Sequence, residues 1–307
     1  MKKIIALLMV LLIAATVFVA CDNGEKTPTE KDYTLSIGVV VKENLAGKKL
    51  EETVATIVTD SDGKIVLCRL DCIKYEAKYD EAGALITKAP TSNVALGDNY
   101  GEMPAGTWAK QGAALEKYVV GKTQAEVAGV VSNGYAADAE LKASCSIAIS
   151  DLVKAIDNAF KSAHKVTFKS TDTEFTAGVN VAGAIKDSST DESKNATFTT
   201  AYAAAVLADG KVVAAILDCA EAELRNITDD EGAASLSFAG TKREQGDSYA
   251  MTSGAWYVQA DAYATSAIGK TASDIAGLAT EGVAGCTMPY STYEFKAGLE
   301  AAVKGAR

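Results

Sequence analysis

Apolar residues in this chain fall into short blocks punctuated by Gly, Asp and Asn. Tyr33–Val41, Thr53–Thr59 and Lys64–Tyr75 are rich in β-branched and apolar side chains, a pattern that predicts strands. Asp62-Gly63, ahead of the third block, predicts a hairpin, because both residues tolerate positive φ. Downstream the pattern turns helical. A helix is expected from Trp108 to near Tyr118 and ends at Gly121. Thr123-x-x-Glu126 reads as a capping box opening a short helix that Gly129 closes. Ser150-Asp151 starts a last helix with Leu152, Val153, Ile156 and Phe160 along one face.

The order then repeats. Asp62-Gly63-Lys64 and the strand ending at Asp71-Cys72 recur as Asp209-Gly210-Lys211 and Asp218-Cys219. Trp108 to Val130 recurs without a gap as Trp256 to Leu278, sharing Trp-x-x-Gln and Gly-Lys-Thr. Thr271-x-x-Asp274 supplies a second capping box. Ser291-x-x-Glu294 opens a final helix carrying Phe295, Leu299 and Val303. The expectation is two tandem copies of one α+β domain, with strands and hairpin first and amphipathic helices last. The copies span 33–163 and 174–307, joined by a linker at 164–173. Each is long enough for a core of its own, so each is expected to fold independently.

The N-terminus changes the picture of location. Lys2 and Lys3 precede an apolar run from Ile4 to Ala20, the form of a signal peptide at 1–20. The ending Phe18-Val19-Ala20-Cys21 resembles a bacterial lipobox, so Cys21 is the expected lipid acceptor. The polar stretch 21–32 reads as a tether. These features place the protein on the extracytoplasmic face of the cell membrane, held by its lipid anchor. The chain has 30 basic and 40 acidic residues, a net charge of −10, and loss of the leader would remove two lysines and no acid. Such a chain is a poor partner for nucleic acid. That compartment permits disulfides, and Cys72–Cys145 with Cys219–Cys286 is the economical pairing; buried thiols are the other reading.

Much chemistry is excluded. The single histidine, His164, has no counterpart in the second copy, which rules out a His-based triad or metal site in each half. No Walker loop or dinucleotide fingerprint occurs, no metal site is expected, and no nucleophile–base pair can be named, so a binding role is favoured over an enzyme. What persists between the copies is polar and aromatic: Asp71/Asp218, Asp98/Asp247, Tyr100/Tyr249, Met103/Met251, Trp108/Trp256, Gln111/Gln259 and Lys122/Lys270. Trp108 and Gln111 share a helix face and would suit a flat heteroaromatic ligand. The alternative is a buried tryptophan anchoring its helix while the glutamine caps backbone groups.

The sequence of an Asp-Gly-Lys hairpin, Tyr-Gly-x-Met, Trp-x-x-Gln and Val-Gly-Lys-Thr-x-x-Glu-Val resembles the FMN-binding domain of extracytoplasmic bacterial lipoproteins. Members with covalent flavin carry Ser-Gly-Ala-Thr before the last helix, the Thr bearing FMN. Here Ala143-Ser144-Cys145-Ser146 and Ala284-Gly285-Cys286-Thr287 align with it. Ala148 and Pro289 stand where those members carry a further hydroxyl. The resemblance therefore implies non-covalent FMN, with flavin-linked electron transfer or ligand binding as the function. Thr287, Gly285, Trp256 and Gln259 of the second copy are the better candidate site, and Ser146, Trp108 and Gln111 the matching set of the first. A cofactor-free structural or interaction lipoprotein is the alternative, and the sequence identifies no protein partner.

Overall fold

The computed structural model describes residues 29–171, 174–227, 234–251, 254–287 and 295–307. The leader 1–20, Cys21 and the tether to residue 28, Pro289, and the Ser291-x-x-Glu294 helix start lie outside the described residues. Among the described residues no helix is long and apolar enough to cross a membrane.

Strands Lys31–Asn44 (β1), Lys49–Asp60 (β2) and Ile65–Glu76 (β3) form an antiparallel meander. A short helix follows at Asn93–Leu96 (α1), then helices Trp108–Val119 (α2) and Gln124–Ala128 (α3). A small hairpin, Val131–Ser132 (β4) with Tyr135–Ala136 (β5), precedes Ala139–Ser144 (α4) and Ser150–Lys161 (α5). Val166–Ser170 (β6) pairs with β1. The stretch expected to be a linker at 164–173 thus contains the fourth strand of the first sheet, in order β3-β2-β1-β6.

A second meander is built from Thr176–Asp187 (β7), Ala196–Ala208 (β8) and Lys211–Arg225 (β9). Ser235–Phe238 (β10) completes a sheet of order β10-β9-β8-β7. Then come Lys242–Gln245 (α6), Trp256–Thr265 (α7), Ala272–Ala276 (α8) and Lys296–Lys304 (α9). The Asp-Gly turns form as expected: Asp209 and Gly210 both have positive φ and close a two-residue hairpin, while Gly63 takes positive φ in a longer turn. The pairing slips by one residue at Val58/Thr59 in the first sheet and at Val206/Leu207 in the second. The fold class is α+β with antiparallel sheets, as the pattern predicts.

Strand alternation sets the layers. In β2 the even positions Leu50, Val54 and Val58 enter one core, while Ala55 and Ile57 enter another. In β8, Phe198, Tyr202, Ala204 and Val206 join that first core, while Ala203, Ala205 and Leu207 face a third. The shared core lies between the two sheets. The other two lie under the helices, α2 and α5 over the first sheet, α7 and α9 over the second. Strands buried on both faces read as continuous apolar runs, and these do. Glycines let the helices approach closely. A Cβ at Gly38 would lie 2.2 Å from the Ala155 carbonyl oxygen in α5, and one at Gly178 would lie 1.8 Å from that of Ala302 in α9.

This layering joins the two expected domains through a shared core. Lys31–Arg307 is one compact unit, and its central core draws on both halves. Polar contacts cross the same boundary. Glu116 on α2 accepts from Leu70 N (2.8 Å) and from the Arg307 guanidinium (2.9 Å), and Arg69 Nε donates to the Ala177 carbonyl (3.0 Å). The disulfide expectation is replaced. Cys68, Cys72, Cys145, Cys219 and Cys286 are buried thiols, packed as small apolar side chains in the two helix-side cores. Burial raises the pKa of Cys68, Cys72 and Cys145.

Candidate functional site

Most of the shared polar residues turn out to hold the chain together. Asp71 is buried; it accepts from Ser92 Oγ (2.7 Å), Cys72 N (2.8 Å) and Val94 N (2.9 Å), and so fixes the start of α1. Asp218 does the same for α6, accepting from Cys219 N (2.7 Å) and Arg243 N (3.1 Å). In both, burial lifts the carboxyl to about 6, against the hydrogen bonds at Asp71 and against the Arg243 charge and the hydrogen bonds at Asp218. The Gly-Lys-Thr motif is likewise architectural. Gly121 N donates to the Ile65 carbonyl (2.7 Å), and Ile65 N donates back to that of Lys122 (2.9 Å). Gly269, Lys270 and Val212 repeat the pattern, and both threonines cap the helices they precede.

The two glutamines are fully buried and turned inward. Gln111 Nε2 donates to the Gly106 carbonyl (2.7 Å), and its Oε1 accepts from Ser146 N (2.6 Å), Ser146 Oγ (3.1 Å) and Ile147 N (3.1 Å). Gln259 Oε1 accepts from Thr287 N (2.9 Å) and Thr287 Oγ1 (3.0 Å), while its Nε2 reaches the Gly254 carbonyl at 3.5 Å. Each glutamine thus pins the turn before the last helix to the tryptophan helix. The hydroxyls of Ser146 and Thr287 are donors in that arrangement. Gly285 has φ +80°, a conformation that suits glycine in this turn.

Both tryptophans are buried, Trp108 6% and Trp256 1% exposed, and they differ in what borders them. Trp108 forms part of the wall of a cavity of about 460 Å³. Tyr100, Met103, Pro104, Ile147 and Leu152 add apolar lining, and Ser146 sits at its side. The sequence therefore brings Tyr100, Met103, Trp108 and Ser146 to one place. The charged residues of the cavity were not anticipated. Lys42, Glu51 and Lys74 are successive cross-strand partners on β1, β2 and β3. Lys42 pairs with Asp151 at the start of α5 (2.9 Å), and Lys74 with Glu51 (3.6 Å). Lys74 Nζ also reaches Tyr100 Oη at 3.2 Å. The hydrogen bond to Asp151 and its charge raise the pKa of Lys42. Cross-strand register was the signal that was missed: each residue alone looks like an ordinary surface charge.

In the second half the tryptophan is covered, while Tyr249 is half-buried like Tyr100. Trp256 is 1% exposed and packs on Phe295, ring centroids 5.6 Å apart. The buried Lys242 places its ammonium 5.6 Å from the Trp256 ring and 5.1 Å from the Tyr249 ring, and 3.1 Å from Glu221. An ammonium over an aromatic face, paired with a carboxylate, is a satisfied arrangement. Among the described residues, Phe295 and Lys242 lie against the Trp256 ring, and its indole Nε1 is buried without a hydrogen-bond partner. The first-half cavity offers an aromatic wall, a hydroxyl and two lysines, with the carboxylates Glu51 and Asp151 beside them, around a volume typical of ligand sites.

Among the described residues no cluster of His, Cys, Asp and Glu is arranged to hold a metal ion. Compared with known protein families, curated proteins and solved structures, the chain matches none.

Proposed function

We propose that this is a lipid-anchored, extracytoplasmic binding protein made from a duplicated α+β unit, in which the first half takes a small planar ligand of the flavin class. The cavity of about 460 Å³ beside Trp108, with Lys42 and Lys74 at its mouth, carries this reading. Two features support duplication: the pairing slip that occurs at one place in each meander, and the glutamine that grips the Ser146 or Thr287 turn in each half. The anchor rests on the Ala20-Cys21 ending and the polar tether.

A bound flavin would supply the redox chemistry through its own ring. The chain would supply the site. Tyr100, Met103 and Trp108 present apolar surface, and the two lysines face the anionic group. Ser146, fixed by Gln111, limits where that group can rest. Lys42 and Lys74 are already paired with Asp151 and Glu51, so an anionic ligand must compete with those carboxylates, which favours non-covalent, reversible binding.

The test is a titration of FMN into the whole protein, followed by flavin fluorescence. Saturable quenching is expected, weakened by Lys42→Ala with Lys74→Ala and unchanged by Thr287→Val. Absence of quenching, or equal quenching in the lysine variant, would remove the flavin reading. The cofactor-free interaction lipoprotein would then stand, a reading that the covered Trp256 and the internally satisfied Gln111 favour.

A further inference from the structure

The core between the sheets holds a polar patch that links strands of both sheets. Glu52 on β2 and Tyr202 on β8 are both fully buried, and the Tyr202 hydroxyl donates to Glu52 Oε2 across the gap between sheets. Tyr75 on β3 crosses in the same direction as Glu52. Its hydroxyl lies 2.6 Å from Thr200 Oγ1 and 3.3 Å from the Thr199 carbonyl oxygen, both on β8. Gly183 on β7 makes room for it, since a Cβ there would lie 1.7 Å from the Tyr75 hydroxyl. Two tyrosines, one from each sheet, thus reach across to polar atoms of the other. The remaining oxygen of the carboxyl, Glu52 Oε1, is buried without a hydrogen-bond partner, and so is Thr56 Oγ1 on the same strand.

We propose that Glu52 and Tyr202 form a proton-operated seam between the two sheets, packed tight while the Glu52 carboxyl carries a proton and loosened when it ionises. A buried carboxylate needs several donors or a cation. The groups acting on Glu52 are the hydroxyls of Tyr202 and Thr200 from β8. Its neighbours in the sheet are Val41 on β1 and Ile73 on β3, both apolar, and among the described residues no cation acts on it. Burial dominates those two hydrogen bonds and pushes the carboxyl up to about 7. On the opposite side, burial raises the pKa of the Tyr202 hydroxyl, and so do the charge and hydrogen bond of Glu52 and the nearby Tyr75 and Asp218, the last its cross-strand neighbour on β9. An acid whose folded pKa is raised gives its full stability at low pH. That stability falls once the unfolded chain ionises in the ordinary glutamate range, and the loss is complete above the folded pKa, near 7.

The experiment is urea unfolding of the purified protein at pH 5 and pH 8, wild type against Glu52→Gln. Asp71 and Asp218 also titrate near 6, and the comparison cancels them. Going from pH 5 to pH 8 should raise the unfolding constant of the wild type on the order of 100-fold more than that of Glu52→Gln. Parallel profiles would overturn the proposal. Should Glu52→Gln fail to fold, wild type labelled with carboxyl-13C glutamate gives the answer directly. One glutamate titrating near neutrality, with faster amide exchange in β2 and β8 above it, is expected. Titration of every glutamate in the ordinary range would overturn the seam.

Discussion

The two halves carry the same tryptophan–glutamine frame and put it to different ends. In the first, Trp108 borders an open cavity ringed by Lys42, Glu51, Lys74 and Asp151. In the second, Lys242 lies over the equivalent aromatic pair, with Glu221 at its ammonium. The switch involves few residues. Lys74 and Glu221 follow their Asp-Cys pairs at the same spacing, and Asn93 and Lys242 each open the short helix behind Ser92 and Thr241. A frame retained in both halves is therefore evidence of structure. What differs between the halves is the set of charges around it.

That contrast can be broken in order of size. Separating the halves should have the largest effect, because the sheet–sheet core is shared. Residues 32–163 and 166–307 expressed apart should each lack a cooperative thermal transition. A sharp transition in either would mean that the helix-side cores suffice alone. Next, Trp256→Ala should cost about 3–5 kcal/mol in denaturant unfolding, the range for a buried large aromatic. Trp108→Ala should cost less, since its ring, though buried, has a cavity on one side. Equal costs would contradict the open–closed difference.

Removing the lysines sharpens the comparison further. Lys242→Ala should destabilise by about 1–2 kcal/mol, through a lost cation–π contact and lost packing of its stem. Lys74→Ala, exposed and weakly paired, should cost less than about 0.5 kcal/mol. Denaturant midpoints for the two variants give the check. The smallest effect is one of symmetry. Asp71 and Asp218 are raised alike to about 6, so each folded carboxyl holds its proton longer than in the unfolded chain. Stability from each is therefore full below the ordinary aspartate range and lost as pH rises toward 6. Carboxyl NMR of the two aspartates should give superimposable titrations; a separation of more than about one pH unit would show that the halves differ here too.

Local signals in the sequence carried the local structure. Asp62-Gly63 and Asp209-Gly210 gave the hairpins, Thr123 and Thr271 the capped helices, and Leu152, Val153 and Ile156 the buried face of α5. Long-range facts were invisible for physical reasons. A strand apolar on both faces reads the same whether its second face meets a helix or another sheet, so the shared core around Tyr75, Phe198 and Tyr202 left no mark. β6 is a short strand whose partner, β1, lies more than a hundred residues away, and it read as a linker. Equivalent cysteine positions suggested pairing, although small thiols also fill a core well. For the site, the residue types Tyr100, Met103, Trp108 and Ser146 were legible. The register that sets Lys42, Glu51 and Lys74 side by side was not.

If the first half binds a flavin while Lys242 fills the second, each chain takes up one FMN. Isothermal calorimetry of FMN against the whole protein tests it most directly. A single site per chain is expected, lost when Lys42 and Lys74 are both changed to alanine and retained in Thr287→Val. Two equivalent sites, or no heat of binding at all, would contradict it.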